Sequence, residues 1–337
     1  MNKSLAVIAA VSLVSTSFVA SVAIAQNASD EATAQPSKPR TMEVALPDGI
    51  SQSDIGDRDV QMIAVQVMLD RSAHSPGVID GYGGGNTDRA IRSYRKANGL
   101  SEGLAFDNEL FESLLEKQSG DVFRTYSINA EDMSYELSDI PSDFAEKSKL
   151  DKLGYETRAE MLAEKFHMDI QFLEALNPDI DFTDLEAGTT LNIVSHGNGL
   201  GDADIARIEV RKGDGEVVAL DSEGNLVASF PATIGSGDFP SPSGSMEVSA
   251  IAAAPNYTFD SDDQSWGPDK TLMIAAGPNN PVGGTWIDLG KDGYGIHGSP
   301  DPSKVGKRTS HGCVRLTNWD AKALARAVSS GTAVEFV

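Results

Sequence analysis

One cysteine, Cys313, stands in this 337-residue chain. No intrachain disulfide is open to it, so each folded part must be held together by buried apolar surface. An apolar fraction of 40% supplies ordinary cores, and the length allows two or three domains. The same cysteine narrows the chemistry. It sits in Ser310-His311-Gly312-Cys313-Val314-Arg315-Leu316, and one polar loop upstream lies Gly295-Ile296-His297-Gly298. A thiol with one histidine beside it and another a short loop away is the residue inventory of an activated sulfur nucleophile.

Charge excludes one class of partner. With 27 Lys and Arg against 50 Asp and Glu, the formal charge is -23 and no basic stripe compensates, so a nucleic acid would be repelled. The acidic surface serves solubility, or, as a weaker reading, concentrates amine-bearing partners. Residues 1–25 carry Lys3, an uncharged run from Leu5 to Ala25, and Ala23-Ile24-Ala25 before Gln26. That is the pattern of a secretory signal with an A-x-A cleavage site. An uncleaved anchor is the alternative, but the hydroxyl residues Ser12, Ser15, Thr16 and Ser17 favour cleavage. No cysteine lies near that site to take a lipid. The expected product is a soluble, monomeric, periplasmic protein without cofactor or metal, tethered by a flexible linker over 26–51.

Residues 52–120 read as a small α-helical module. Val60, Ile63, Ala64, Val67, Met68 and Leu69 recur at helical spacing, and a glycine turn from Gly81 to Gly85 follows. Asn86 or Thr87 can cap a second helix with Ala90, Ile91 and Tyr94, and Leu110, Phe111, Leu114 and Leu115 mark a third. With Val78-Ile79-Asp80-Gly81 and Asn98-Gly99-Leu100, this order resembles the helical peptidoglycan-binding module of cell-wall enzymes, although Arg95 stands where such modules usually have glutamine. A purely structural three-helix domain is the other reading. Residues 121–197 read as a small α+β module: a strand near Tyr126-Ser127-Ile128, an acidic insert, two short helices, and a closing strand at Thr190–Val194. Leu162 to Phe166, Leu176-Asn177-Pro178 and Leu191-Asn192-Ile193 resemble the LysM glycan-binding module. His167, with no carboxylate or cysteine beside it in sequence, reads as a surface or capping histidine rather than a metal ligand.

From residue 200 to 337 the pattern is mainly β. Ile205–Val210, Val217–Leu220 and Leu226–Phe230 alternate between turns, further strands follow at Met246–Val248, Leu272–Ala275 and Thr285–Leu289, and a helix lies at Asn318–Ser329. A β-sandwich or partial barrel is expected. Gly235, Pro240-Ser241-Pro242, Asn280-Pro281-Val282-Gly283, Gly295-Ile296-His297-Gly298 and the Ser310 to Leu316 string occur in order. They resemble the L,D-transpeptidase catalytic domain, the YkuD type, with Pro-Ser-Pro in place of the usual Pro-Thr-Pro.

That resemblance implies a role for each residue. Cys313 is the nucleophile and His297 its base, with the Gly298 carbonyl as orienting partner because no Asp or Asn stands in that motif position. His311 shapes the pocket and assists proton or oxyanion handling. The N–H groups of Gly312 and Cys313 are natural oxyanion donors. Arg315 offers a fork for a donor carboxylate, or else pairs with Asp320, and Ser310 and Tyr294 join it as substrate-binding residues. The implied partners are peptidoglycan stem peptides and glycan strands, with a neighbouring stem or an envelope protein as acyl acceptor. A hydrolase on the same scaffold and an idle wall-binding scaffold are the competing functions. A zinc site built from His297, His311 and Cys313 is a distant alternative, since it would consume the thiolate as a ligand.

Overall fold

A computed structural model describes residues 43–117, 120–235, 241–260, 270–307 and 312–337. The export-signal reading at 1–25, together with Ser310 and His311, lies outside the described residues.

Four helices come first: α1 (Gln52–Ile55), α2 (Val60–Arg71), α3 (Gly85–Ala97) and α4 (Asn108–Lys117). The Asp59 side chain caps α2 by accepting from the Gln61 N–H, and the helix is apolar on most sides, so it becomes the central rod of its core. Helix α3 starts at Gly85 with Gly84 as its cap, two residues before the start that a cap at Asn86 gives and three before that of Thr87. Those two side chains are used elsewhere. Asn86 Nδ2 donates to the Val305 carbonyl at 2.9 Å, and Thr87 Oγ1 accepts from Gln66. The guanidinium of Arg95, 2% exposed, ties α3 to the start of α4 through Asp107 at 2.8 Å and Glu109 at 3.2 Å.

Strand β1 (Phe123–Ser127), short helices α5 (Ala130–Ser134) and α6 (Phe144–Lys147), helices α7 (Arg158–Lys165) and α8 (Ile170–Ala175), and β2 (Thr190–Val194) follow. β1 and β2 pair antiparallel from Phe123 opposite Val194 to Ser127 opposite Thr190. Thr157 and Glu160 form a capping box at the start of α7. The helical and α+β segments share one apolar core, in which Ile63, Val67 and Tyr94 meet Leu162, Phe166 and Leu191. The stretch expected to be linker up to Ser51 adds Val44, Leu46 and Ile50 to that core. All three are partly buried, so each contributes a fraction of the about 1.5–3 kcal/mol that full burial of an aliphatic side chain is worth.

The C-terminal region is built from β3 (Arg207–Arg211), β4 (Glu216–Leu220), β5 (Leu226–Pro231), β6 (Gly244–Glu247), β7 (Ala250–Ala253), β8 (Tyr257–Phe259), β9 (Leu272–Ile274), β10 (Thr285–Asp288), β11 (Gly295–His297), β12 (Val314–Arg315), α9 (Asn318–Ala327) and β13 (Ala333–Phe336). A five-stranded sheet runs β5-β4-β3-β13-β6, and a four-stranded sheet runs β12-β11-β10-β7. Their inner faces share a second core, where Ile208, Val217 and Val334 meet Ile287, Ile296 and Val314, with Leu324 of α9. The β-sandwich expectation describes this region. Alternation missed β7, β8, β11, β12 and β13; β7 is an exposed edge strand with no buried face to mark it, and β11 and β12 are too short to show a period.

The insert between β1 and α7 turns away from its own segment. Ile140, Phe144, Leu150 and Leu153 pack with Phe259, Leu272 and Ile274 of the β8–β9 hairpin in a third core. The backbone seals the contact: Leu153 N–H donates to Ala276 O at 2.9 Å, and Asn279 N–H to Leu153 O at 3.1 Å.

Candidate active site

β11 and β12 pair in parallel, Ile296 against Val314 and His297 against Arg315, which sets Cys313 level with Gly295. Residues opposite each other in a sheet share a face, so His297 and Arg315 look the same way, and Cys313 directly precedes β12. The Cys313 S–H donates to the Gly293 carbonyl at 3.1 Å. Across the antiparallel pair β10–β11, Trp286 stacks on His297 with centroids 5.5 Å apart. The same indole lies over Gly295, where a Cβ would come within 2.5 Å of it.

His297 is 2% exposed. Its Nδ1 lies 2.7 Å from the Gly298 carbonyl, and since a carbonyl only accepts, Nδ1 carries the proton and Nε2 the lone pair. Burial, helped by the Arg315 guanidinium, holds the imidazole down at about 3, while the Gly298 and Val282 carbonyls pull weakly the other way. Burial pushes the Cys313 thiol above its ordinary value, opposed by the Gly295 N–H and Arg315. Near neutrality the imidazole and the thiol are thus both neutral. That is the state in which a general base can take a proton as the sulfur attacks.

Gly298 has no room for a side chain, because a Cβ would lie 2.2 Å from Asn318 Oδ1. Asn318, at the start of α9, donates to Glu164 at 2.8 Å and to Pro278 O at 3.1 Å. A chain of contacts therefore runs from α7 through Asn318 to the residue that orients the histidine.

The backbone at Gly312 has φ +113°, and its carbonyl accepts from Ser241 Oγ at 2.7 Å. Ser241 in turn accepts from the Gly235 N–H at 2.9 Å. In a trans peptide the Cys313 N–H points opposite to the Gly312 carbonyl, so Ser241 fixes the direction of that donor. In the sequence Ser241 shows only as the middle residue of Pro-Ser-Pro, where the usual motif has threonine.

Arg315 is clamped by two backbone hydrogen bonds with Thr233, each 2.9 Å. Its side chain lines a cavity of about 380 Å³ shared with Phe144, Lys147, Asn279, Ser299 and Lys304. The Arg315 Nε is buried without a partner among the described residues. The alternative of an Arg315–Asp320 ion pair does not form: Asp320 Oδ2 instead accepts from Ser75 Oγ at 2.9 Å, in another buried cluster. Lys304 pairs with Asp301, whereas the Lys147 ammonium lies 5.3 Å above the Phe144 ring. Lys147 comes from the insert, and nothing in sequence connected it to this place. Tyr294 sits on the β10–β11 turn under the Lys291 ammonium, 4.3 Å away, and does not line this cavity.

His167 corrects an expectation. It is a partly buried residue whose Nδ1 lies 3.1 Å from Asp70, with His196 alongside. The company missing in sequence is supplied by α2 and by the segment after β2. His297 and Cys313 gather no third metal-ligating side chain among the described residues.

A two-sheet domain presenting a thiol, a buried neutral histidine and an oriented backbone donor is built for acyl transfer. The family model of the YkuD L,D-transpeptidase catalytic domain matches residues 205–336. A Bacillus licheniformis protein described as the L,D-transpeptidase YkuD is 30% identical over 175 residues, covering 52% of this chain and 90% of its own length. The Escherichia coli K12 protein described as the L,D-transpeptidase YbiS is 29% identical over 192 residues, 53% of this chain and 59% of its own. The crystal structure of L,D-transpeptidase 3 from Mycobacterium tuberculosis in complex with a faropenem-derived adduct aligns with 45% of this chain and 75% of that chain, at 16% identity and a TM-score of 0.33. The chain belongs to the L,D-transpeptidase family, and its C-terminal region is that family's catalytic domain, of the acyltransferase class.

Proposed function

We propose that this is an exported, periplasmic L,D-transpeptidase that works through a thioester on Cys313. The carbonyl under attack is that of the third residue of a peptidoglycan tetrapeptide stem, on the side with the L-centre. As the Cys313 sulfur bonds to the carbonyl carbon, the thiol proton passes to His297 Nε2, and the Gly298 carbonyl stabilises the imidazolium through Nδ1. The oxyanion meets the N–H groups of Gly312 and Cys313, each worth roughly 3–4 kcal/mol in comparable sites. The amide C–N bond breaks, His297 returns the proton to the leaving amine, and D-alanine departs. An acceptor amine then attacks the thioester, the sulfur leaves, and a new amide forms with the thiol restored. A diamino acid on a neighbouring stem is the acceptor proposed, an envelope protein being the other source of such an amine. His311 and Ser310 complete the pocket in this reading, and the segments before residue 200 meet the glycan strand.

The observation that carries the reading is the buried His297, its tautomer set by Gly298, on the strand paired with the one that Cys313 leads into. The test uses chain recovered from the periplasmic fraction, incubated with disaccharide-tetrapeptides and compared with Cys313→Ala by mass spectrometry. Cross-linked dimer and free D-alanine from the wild type alone are expected. Identical products from both proteins sink the enzyme, and tripeptide without dimer assigns the hydrolase instead.

A further inference from the structure

Far from the thiol in sequence, three segments bring metal-ligating side chains together. Asp70 lies at the end of α2, His167 follows α7, and His196 follows β2. One ligand atom from each lies within 4.8 Å of the others. We propose that Asp70, His167 and His196 form a binding site for a divalent first-row transition metal, with zinc as its probe.

Two imidazoles and a carboxylate are a donor set that zinc accepts, leaving a fourth position for water. The spacing is suitable. His167 Nδ1 lies 3.1 Å from each Asp70 oxygen. Two ligands with bonds of about 2.0–2.1 Å to one tetrahedral ion stand roughly 3.3 Å apart. An ion replacing the proton between them therefore needs little movement, and that proton leaves to solvent.

The ligands are also oriented, as metal-binding side chains usually are. His196 Nδ1 donates to the Gly197 carbonyl at 2.6 Å, which leaves its Nε2 lone pair available. Gly197 N–H holds Asp70 Oδ2 at 2.6 Å. The His167 ring is stacked on Trp319 at 5.0 Å and an interplanar angle of 10°. Its backbone sits at φ +59°, a conformation costly for a residue with a Cβ. Hydrogen bonds to Ile79 hold it there, Ile79 N–H to His167 O at 2.8 Å and Asp169 N–H to Ile79 O at 3.0 Å. An ion here would clamp the helical segment, the α7–α8 turn and the stretch leaving β2 against α9.

The test is made on untagged full chain carrying Cys313→Ala, which removes the thiol as a competing ligand. After chelation and buffer exchange, zinc is titrated by calorimetry and the melting temperature is followed. One ion per chain and a rise in Tm of several degrees are expected, both lost when His196→Ala is added. His196 is chosen because its partly exposed ring can be removed without opening the core. Cobalt gives an independent reading through the visible bands of a tetrahedral nitrogen and oxygen site. The proposal is overturned if the Cys313→Ala chain takes up no ion, or if binding and Tm shift survive His196→Ala.

Discussion

At Ser241 a single hydroxyl does what the motif around it does not announce. It donates to the Gly312 carbonyl and so turns the 312–313 peptide, directing the Cys313 N–H away from itself. Ser241→Ala should lower kcat by roughly 10- to 100-fold, somewhat less than deleting an oxyanion donor outright. KM should change little, because the loss falls on the transition state. Ser241→Thr keeps the hydroxyl and should restore most of the rate. Steady-state kinetics with a tetrapeptide donor decide it, and an alanine variant that changes only KM refutes the positioning role. At this scale the sequence was informative where chemistry depends on neighbours along the chain. The short step from His297 to its Gly298 carbonyl was readable. The Ser241 contact was not, because it spans 71 residues and depends on how two loops meet.

Helix α6 shows what a sequence reading of elements leaves out. Strands with one buried face were legible through alternation, and α2 and α3 through their apolar spacing. The insert around α6 read only as acidic excess, since its apolar residues are too few to show a period. Their partners are β8 and β9, which lie about a hundred residues downstream. That packing brings Lys147 to the wall of the cavity that Arg315 also lines. Arg315, Lys147 and Lys304 line that cavity with one carboxylate, Asp301, which pairs with Lys304, so in a chain of formal charge -23 the lining suits an anionic ligand. If the donor stem presents a carboxylate there, Lys147→Gln should raise KM by about 3- to 10-fold and leave kcat nearly unchanged, as expected for lost uniform binding. A donor with that carboxylate amidated should show no difference between wild type and variant. Equal effects on both donors would assign Lys147 to packing alone.

Across the whole molecule, burial of neutral histidines couples the fold to pH. His74 bridges the helical segment to β5, its Nδ1 3.0 Å from Ser229 Oγ, and His297 sits in the catalytic sheet. Burial, with Lys117 adding a little, holds His74 at about 3, and burial with Arg315 holds His297 at about 3. Both lie below the ordinary 6.5. A group depressed in the folded state adds stability that is complete above its unfolded pKa and is lost as pH falls toward the folded one. The window is therefore 6.5 down to 3. Asp320 acts oppositely: burial raises it to about 7, so its contribution improves as pH falls from 7 toward 3.8 and offsets part of the loss. His196, held down at about 4 chiefly by burial, adds to the loss, while burial raises Glu164 and Glu216 and adds to the offset. His74 and His297 each lose on the order of 3 kcal/mol by about pH 4 before that offset. Urea unfolding at a series of pH values should show stability falling below about pH 6.5. His74→Gln cannot take up the proton, so the slope of stability against pH should flatten over that range even if the variant is weaker at neutral pH. An unchanged slope would mean that His74 is not charged on unfolding, and the acid sensitivity would have to come from elsewhere.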